Sequence, residues 1–136
     1  FLVNRCRSFI YTTSLPPAVL AVGSAAVDLL KKEPERRQAL WDNSRSLRDG
    51  LARLGFSIGG NDSQILPLLV GDASHCMNFA EGLLQKGIYA QGIRPPTVLP
   101  GTSRLRITPM ATHTREQMEN TLGAFAEVKK EYGFGI

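Results

Sequence analysis

From Ile65 to Tyr132 the hydrophobic pattern switches between strand spacing and helix spacing, with glycine or proline near the switches. That pattern confines the segment to a layered α/β architecture. Ile65 to Val70 is an apolar run around Pro67, which predicts a strand at a sheet edge or a strand start, because proline has no N–H for a ladder. Gly71-Asp72 then turns into a helix over Ser74 to Lys86, with Phe79, Ala80, Leu83 and Leu84 facing in and Gly87 ending it. Ile88 to Ile93 reads as a second strand. Arg94 to Thr102 is a loop stiffened by Pro95, Pro96 and Pro100. Ser103 to Thr108 alternates, with Leu105 and Ile107 one way and Arg104, Arg106 and Thr108 the other. Thr114 and Gln117 form a capping box for a last helix, which runs to about Tyr132 on an inner stripe of Met118, Leu122, Phe125 and Val128.

The first half is more helical. Phe9 to Thr13 is aromatic and β-branched and predicts a short strand or extended segment. Ser14 is placed to cap a helix over Ala18 to Lys32, with Pro16 and Pro17 in its first turn. Apolar residues occupy almost every side of that helix, so neighbours should bury it on several faces. Pro34 restarts the helix, and Leu40, Ser44, Leu47, Leu51 and Leu54 keep helical spacing until Gly55, with Arg36, Arg37, Arg45 and Asp49 on the wet side. Trp41 is expected in the helix interface, and Met77, Met110 and Met118 in the core. Phe56 to Ile58 reads as a short strand and Gly59 to Asp62 as a loop without the spacing or lysine of a phosphate loop. The expected fold class is α/β, an α+β two-layer sandwich with a small antiparallel or mixed sheet.

Composition narrows the function. Apolar residues make up 43% of the 136 residues and charged ones 21%, which excludes a disordered, collagen-like or coiled-coil chain. The net charge is +4 with no block of like charges, and Arg36, Arg37, Arg45, Arg48 and Arg53 spread along a helix, so no nucleic-acid partner is expected. The longest apolar run, Leu15 to Val27, is too short for a membrane span. Cys6 and Cys76 lie in no CxxC pair or histidine cluster, so no metal site is expected, and reduced thiols fit a cytoplasmic protein. The chain begins at Phe1, and its opening reads like the middle of a longer polypeptide.

Three places have residues suited to anions. Arg106 is a guanidinium on the polar face of a strand, fit for two-point capture of a carboxylate, and Arg104 on the same face is equally eligible. Both also read as ordinary exposed strand arginines. Thr97 follows Arg94-Pro95-Pro96, where a stiff backbone would fix a hydroxyl toward a ligand or simply make a turn. Thr12, Thr13 and Ser14 precede a helix, a setting for a phosphate or for plain capping. His75 and His113 have no catalytic partner at useful spacing and read as surface or capping residues. Lys31, Lys32, Lys86, Lys129 and Lys130 all sit in solvated surroundings, so none suits Schiff-base chemistry.

Taken together, Ser8 to Pro17, Ile65 to Asp72 and the run Gly92 to Thr108 (GIRPPTVLPGTSRLRIT) resemble the C-terminal part of the α-oxoamine synthases, in order and over essentially the whole chain. The last run is most similar to the biotin-pathway branch. The 5-aminolevulinate synthases and glycine C-acetyltransferases are the neighbouring branches, and a non-catalytic binding module on the same fold is the remaining alternative. The resemblance implies a fold-type I enzyme using pyridoxal 5′-phosphate, which joins an amino acid to an acyl-CoA thioester with loss of CO₂. In the biotin branch these are alanine and a pimeloyl thioester. It implies a homodimer in which Thr12 and Thr13 reach the partner's cofactor phosphate, Thr97 touches substrate and Arg106 holds the amino-acid carboxylate. It also implies that the Schiff-base lysine lies upstream of Phe1. No catalytic residue is then expected in this chain, which would be inactive alone and hold the cofactor weakly. Residues 1–32 would be the strand and helix leading out of the large cofactor domain, and 33–136 the small domain. The helix over 18–30 should accordingly be exposed, swapped or paired.

Overall fold

The computed structural model describes residues 1–60 and 63–133 and divides into two compact units, Phe1–Pro34 and Glu35–Ile136. The expected loop at 59–62 therefore lies partly outside the described residues.

The first unit holds α1 (Leu2–Arg5), α2 (Arg7–Ile10) and α3 (Pro17–Lys32). The strand expected over Phe9 to Thr13 is not formed. Ile10 N–H donates to Cys6 O at 2.9 Å and Tyr11 N–H to Arg7 O at 3.0 Å. A strand needs a neighbour to complete its ladder; without one among the described residues of this unit, the backbone closes on itself as a helical turn. Ser14 is not the cap either. Its φ of 67° is left-handed, its N–H donates to Thr12 Oγ1 at 3.2 Å, and Pro16 stands at the N-cap with Pro17 at the first helical position. Proline there loses no bond, since that N–H has no intrahelical acceptor. No residue of α3 is buried: Val22 is 70% exposed, and Leu15, Val19, Leu20 and Val27 line an open groove of about 520 Å³.

Apart from its first residue, α4 (Pro34–Arg53) belongs to the second unit, and Gly55 ends the helix at a φ of 81°. Three strands follow, β1 (Leu66–Gly71), β2 (Gln91–Ile93) and β3 (Ser103–Ile107), with α5 (Ala73–Gln85) between the first two and α6 (Arg115–Glu131) last. The sheet is antiparallel throughout in the order β1-β3-β2. Leu66, Leu68, Leu105 and Ile107 point to one face, where Leu47 and Leu51 of α4, Phe79 and Leu83 of α5, and Phe125 and Val128 of α6 complete the core. This is the two-layer sandwich that the alternating pattern predicts.

Three local differences have clear causes. Phe56 to Ile58 makes a single bridge, Ile58 to Leu68, rather than a strand. Pro67 O accepts from Gly59 N–H at 2.8 Å and Leu69 N–H donates to Ser57 O at 3.0 Å, so the N–H that Pro67 lacks would have faced this same edge. The strand expected from Ile88 shrinks to Gln91–Ile93, because Ile88 N–H donates to Leu83 O at 2.9 Å and is tied to the end of α5. Trp41, Met77, Met110 and Leu84 are exposed rather than packed inside; Met118 alone of the methionines is buried. Helical spacing marks a face, but which flank of that face is covered depends on the neighbouring elements.

The capping box of α6 forms as expected, with Thr114 Oγ1 accepting from Gln117 N–H at 3.2 Å and Thr114 N–H donating to Gln117 Oε1 at 2.9 Å. Asp72 caps α5 by accepting from His75 N–H at 2.8 Å, which holds its carboxyl below the usual range. Asn43 was not marked in the sequence. Its Nδ2 donates to Met110 O at 2.9 Å and His113 O at 3.0 Å, fastening α4 to the turn before α6. Asn43→Ala is expected to lower unfolding stability by about 1–2 kcal/mol, because two carbonyls lose their donor. A urea titration followed by circular dichroism measures it, and an unchanged midpoint would refute the role.

Candidate functional site

The sheet has one covered and one open face. Pro67, Leu69, Gln91, Ile93, Arg104 and Arg106 share the open face, since cross-strand partners in this register are Pro67 with Arg106, Gln91 with Arg106 and Ile93 with Arg104. Arg106 thereby sits on the central strand, flanked on both sides. Strand alternation puts it there: Leu105 and Ile107 are drawn into the core, so Arg106 is driven out.

The two arginines are not equivalent. Arg104 is half-buried and its Nε donates to Thr102 O at 3.0 Å. Arg106 is exposed, and its guanidinium has no hydrogen-bond or ion-pair partner among the described residues. A guanidinium with every N–H unused, held on a rigid strand, is a ready receptor for a planar carboxylate.

Thr97 belongs to the same hairpin. The loop 94–102 joins β2 to β3; Thr97 N–H closes a turn onto Arg94 O at 3.1 Å around the cis Pro95-Pro96 bond. Thr97 is exposed. Thr102 braces the far side of the loop, donating to Leu99 O through its hydroxyl at 2.8 Å and its N–H at 3.1 Å.

Thr12 and Thr13 lie in the first unit and are both exposed. Thr12 Oγ1 accepts from Ser14 N–H, whereas the Thr13 hydroxyl has no partner among the described residues. The histidines lie at helix starts, as expected. His75 N–H is taken by the Asp72 cap, and His113 Nδ1 accepts from Met110 N–H at 3.1 Å.

Lysine chemistry tests the fit of a cofactor that needs an amine. Lys86 lies 2.9 Å from both Glu127 and Glu131, and those bonds raise its pKa, Glu127 foremost. Lys129 donates to Leu54 O at 2.7 Å and sits over the Phe56 ring at 5.1 Å. Lys31, Lys32 and Lys130 are exposed. The described residues thus offer no desolvated amine, and they fit an anion-holding share of a cofactor and substrate site. They also contain no group of three His, Cys, Asp or Glu able to hold a metal, and no helix long and apolar enough to cross a membrane.

Two concavities in the second unit lie elsewhere. One, of about 450 Å³, is lined by Trp41, Arg45, Arg48 and Ser63, and Arg45 is already paired with Asp42 at 2.6 Å. The other, of about 540 Å³, runs from Lys86 and Tyr89 to Met110 and Asn120. Neither is lined by Arg106 or Thr97.

Comparison with known proteins agrees with this architecture. The family described as aminotransferase class I and II matches residues 1–125. An 8-amino-7-oxononanoate synthase of Geobacter sulfurreducens is 48% identical over 134 residues, covering 97% of this chain and 34% of the relative. One from Geotalea daltonii is 47% identical over 135 residues, covering 98% and 34%. The solved serine palmitoyltransferase of Sphingomonas wittichii superposes with a TM-score of 0.88 at 34% identity, over 97% of this chain and 34% of that one. The 8-amino-7-oxononanoate synthase of Francisella tularensis gives 0.77 at 24% identity, over 96% and 38%, a likeness of fold. The chain spans about a third of the length of the curated relatives it matches. Its helices and small antiparallel sheet are those of a fold-type I domain.

Proposed function

Because this chain belongs to the aminotransferase class I and II family, we propose that it forms the C-terminal part of a transferase joining alanine to a pimeloyl thioester with loss of CO₂, a step of biotin synthesis. In that reading residues 1–32 lead out of a larger cofactor-bearing domain, 33–136 are the small domain, and the enzyme is a cytoplasmic homodimer. The near-half identity to the 8-amino-7-oxononanoate synthases supports the substrate pair. The observation that carries the site is the contrast on β3: Arg104 is tied to its own backbone and Arg106 is left free.

Arg106 receives the amino-acid carboxylate with its planar fork, and the strand fixes the direction from which the rest of the substrate projects. Thr97, on the braced loop of the same hairpin, meets the substrate through its hydroxyl. Thr12 and Thr13 hold a cofactor phosphate in the partner subunit through theirs. Pyridoxal phosphate, when bound, supplies the electron sink for charge developing at the amino acid's Cα. This chain contributes orientation and charge, and alone it is inactive because it brings no Schiff-base amine.

The reading is tested by incubating the complete enzyme with alanine and pimeloyl-CoA. Stoichiometric release of CO₂ and free CoA is expected; release with glycine or serine but not alanine would overturn the substrate assignment. Thr13→Val in the same enzyme is expected to weaken cofactor retention about tenfold, the worth of one charge-assisted hydrogen bond. Unaltered retention after gel filtration would leave Thr13 without that role.

A further inference from the structure

The freedom of Arg106 needs an explanation, because an uncharged acceptor stands next to it. Gln91 is its direct cross-strand partner on the open face. In an antiparallel pair the two Cβ atoms lie about 5 Å apart, near enough for a glutamine carbonyl to accept from a guanidinium. Gln91 does not do so. Its Oε1 accepts from the Tyr89 hydroxyl, and its Nε2 donates to Gly92 O at 3.2 Å. Tyr89 lies two residues before Gln91, 76% exposed, and its hydroxyl makes no other hydrogen bond among the described residues.

We propose that Tyr89 is a positioning residue for the carboxylate site: by occupying the Gln91 carbonyl it keeps the Arg106 guanidinium open for the substrate. Gln91 is the element through which it acts. Position 91 must carry no negative charge, since a carboxylate there would pair with Arg106 intramolecularly and compete with every incoming amino acid. On the other flank the partner is Pro67, whose ring offers no acceptor. The open face is thus arranged so that Arg106 has no internal competitor on either side, although the Nε of Arg104, two residues along the same strand, donates to Thr102 O.

This inference rests on the proposed role of Arg106, and the experiment separates the two. In the complete enzyme, KM for the amino acid and kcat are measured for Arg106→Ala, Tyr89→Phe, Gln91→Glu, and Gln91→Leu with and without Tyr89→Phe. Tyr89→Phe frees the amide to turn onto Arg106 and is expected to raise KM about three- to fivefold, with kcat held within about twofold, as an exposed competing contact would. Gln91→Glu is expected to raise KM about fivefold or more. In the Gln91→Leu background there is no carbonyl left to release, so adding Tyr89→Phe should change KM no further. An unchanged KM in Tyr89→Phe, or the same rise with and without Gln91, would overturn the positioning role. If Arg106→Ala itself leaves KM unchanged, the carboxylate reading fails, and this inference falls with it.

Discussion

Arg106→Ala in the complete enzyme is expected to lower kcat/KM for the amino acid by about 2–4 kcal/mol, a factor of roughly 30 to 1,000. The size follows from what the site would lose. A carboxylate held at two points by a guanidinium is fixed in direction as well as in place, and in the proposed role the bound substrate would cover the arginine. Truncation leaves that charge without a partner, and the carboxylate free to swing. KM should rise because binding is lost, and kcat should fall because the bond to be broken is no longer aligned. Arg106→Lys should recover only part of the loss, since an ammonium supplies the charge without the fork. Arg104→Ala makes the contrast, because the Arg104 Nε is committed to Thr102 O. Steady-state kinetics with the amino acid varied decide the matter; an Arg106→Ala enzyme with wild-type KM would remove Arg106 from the site.

Phe79→Ala is expected to be the most damaging single truncation of the second unit, costing about 3–5 kcal/mol of stability. Phe79 of α5 is fully buried and meets Phe125 of α6 with ring centres 5.7 Å apart, and Phe56, in the segment after α4, also at 5.7 Å. Phe56 and Phe125 are themselves 5.8 Å apart. Two of the three contacts are edge-on, at 85° and 82°. That geometry sets the positive ring edge against the negative ring face. The cluster joins α5, α6 and the chain leaving α4, so removing one ring opens a cavity at a junction that no single rotamer change can refill. A small domain with net stability of about 5–15 kcal/mol would lose a large part of it. Urea unfolding of the chain, read by circular dichroism, should show the midpoint fall sharply; a loss under about 1 kcal/mol would mean that the rings do not act as one packed unit.

The core stripe, the capping box at Thr114 and Gln117, the alternation along β3 and the edge position of β1 were all legible in the sequence. Each is a local rule: strand period, helix period, cap chemistry or a missing proline N–H. The candidate site residues Thr12, Thr13, Thr97 and Arg106 are proposed from motifs with a recognisable order, and the structure places all four at exposed positions. Spacing could not separate Arg104 from Arg106, nor point to Tyr89 and Gln91. Both arginines lie on the same face of one strand, and only the backbone turn at Thr102 engages one of them. Asn43 was hidden for the same reason, as its acceptors are 67 and 70 residues away.

The sequence by itself determined the covalent alternation of apolar and polar groups, and with it the three helices and three strands of the second unit, though not the length of β2 or the full extent of each buried face. Tertiary structure decided what depends on a neighbour. Phe9 to Thr13 has strand composition, yet its N–H groups found acceptors only within their own turn. Trp41 has core chemistry, yet it stays partly exposed beside an open concavity on α4. Arg106 was a candidate receptor from the sequence, and the fold set it apart from Arg104 by giving Arg104 a carbonyl, setting Pro67 on one side of Arg106, and placing on the other a glutamine already engaged by Tyr89. A hydrogen bond needs a partner in space, and a one-dimensional pattern specifies where a group points before it specifies what it meets.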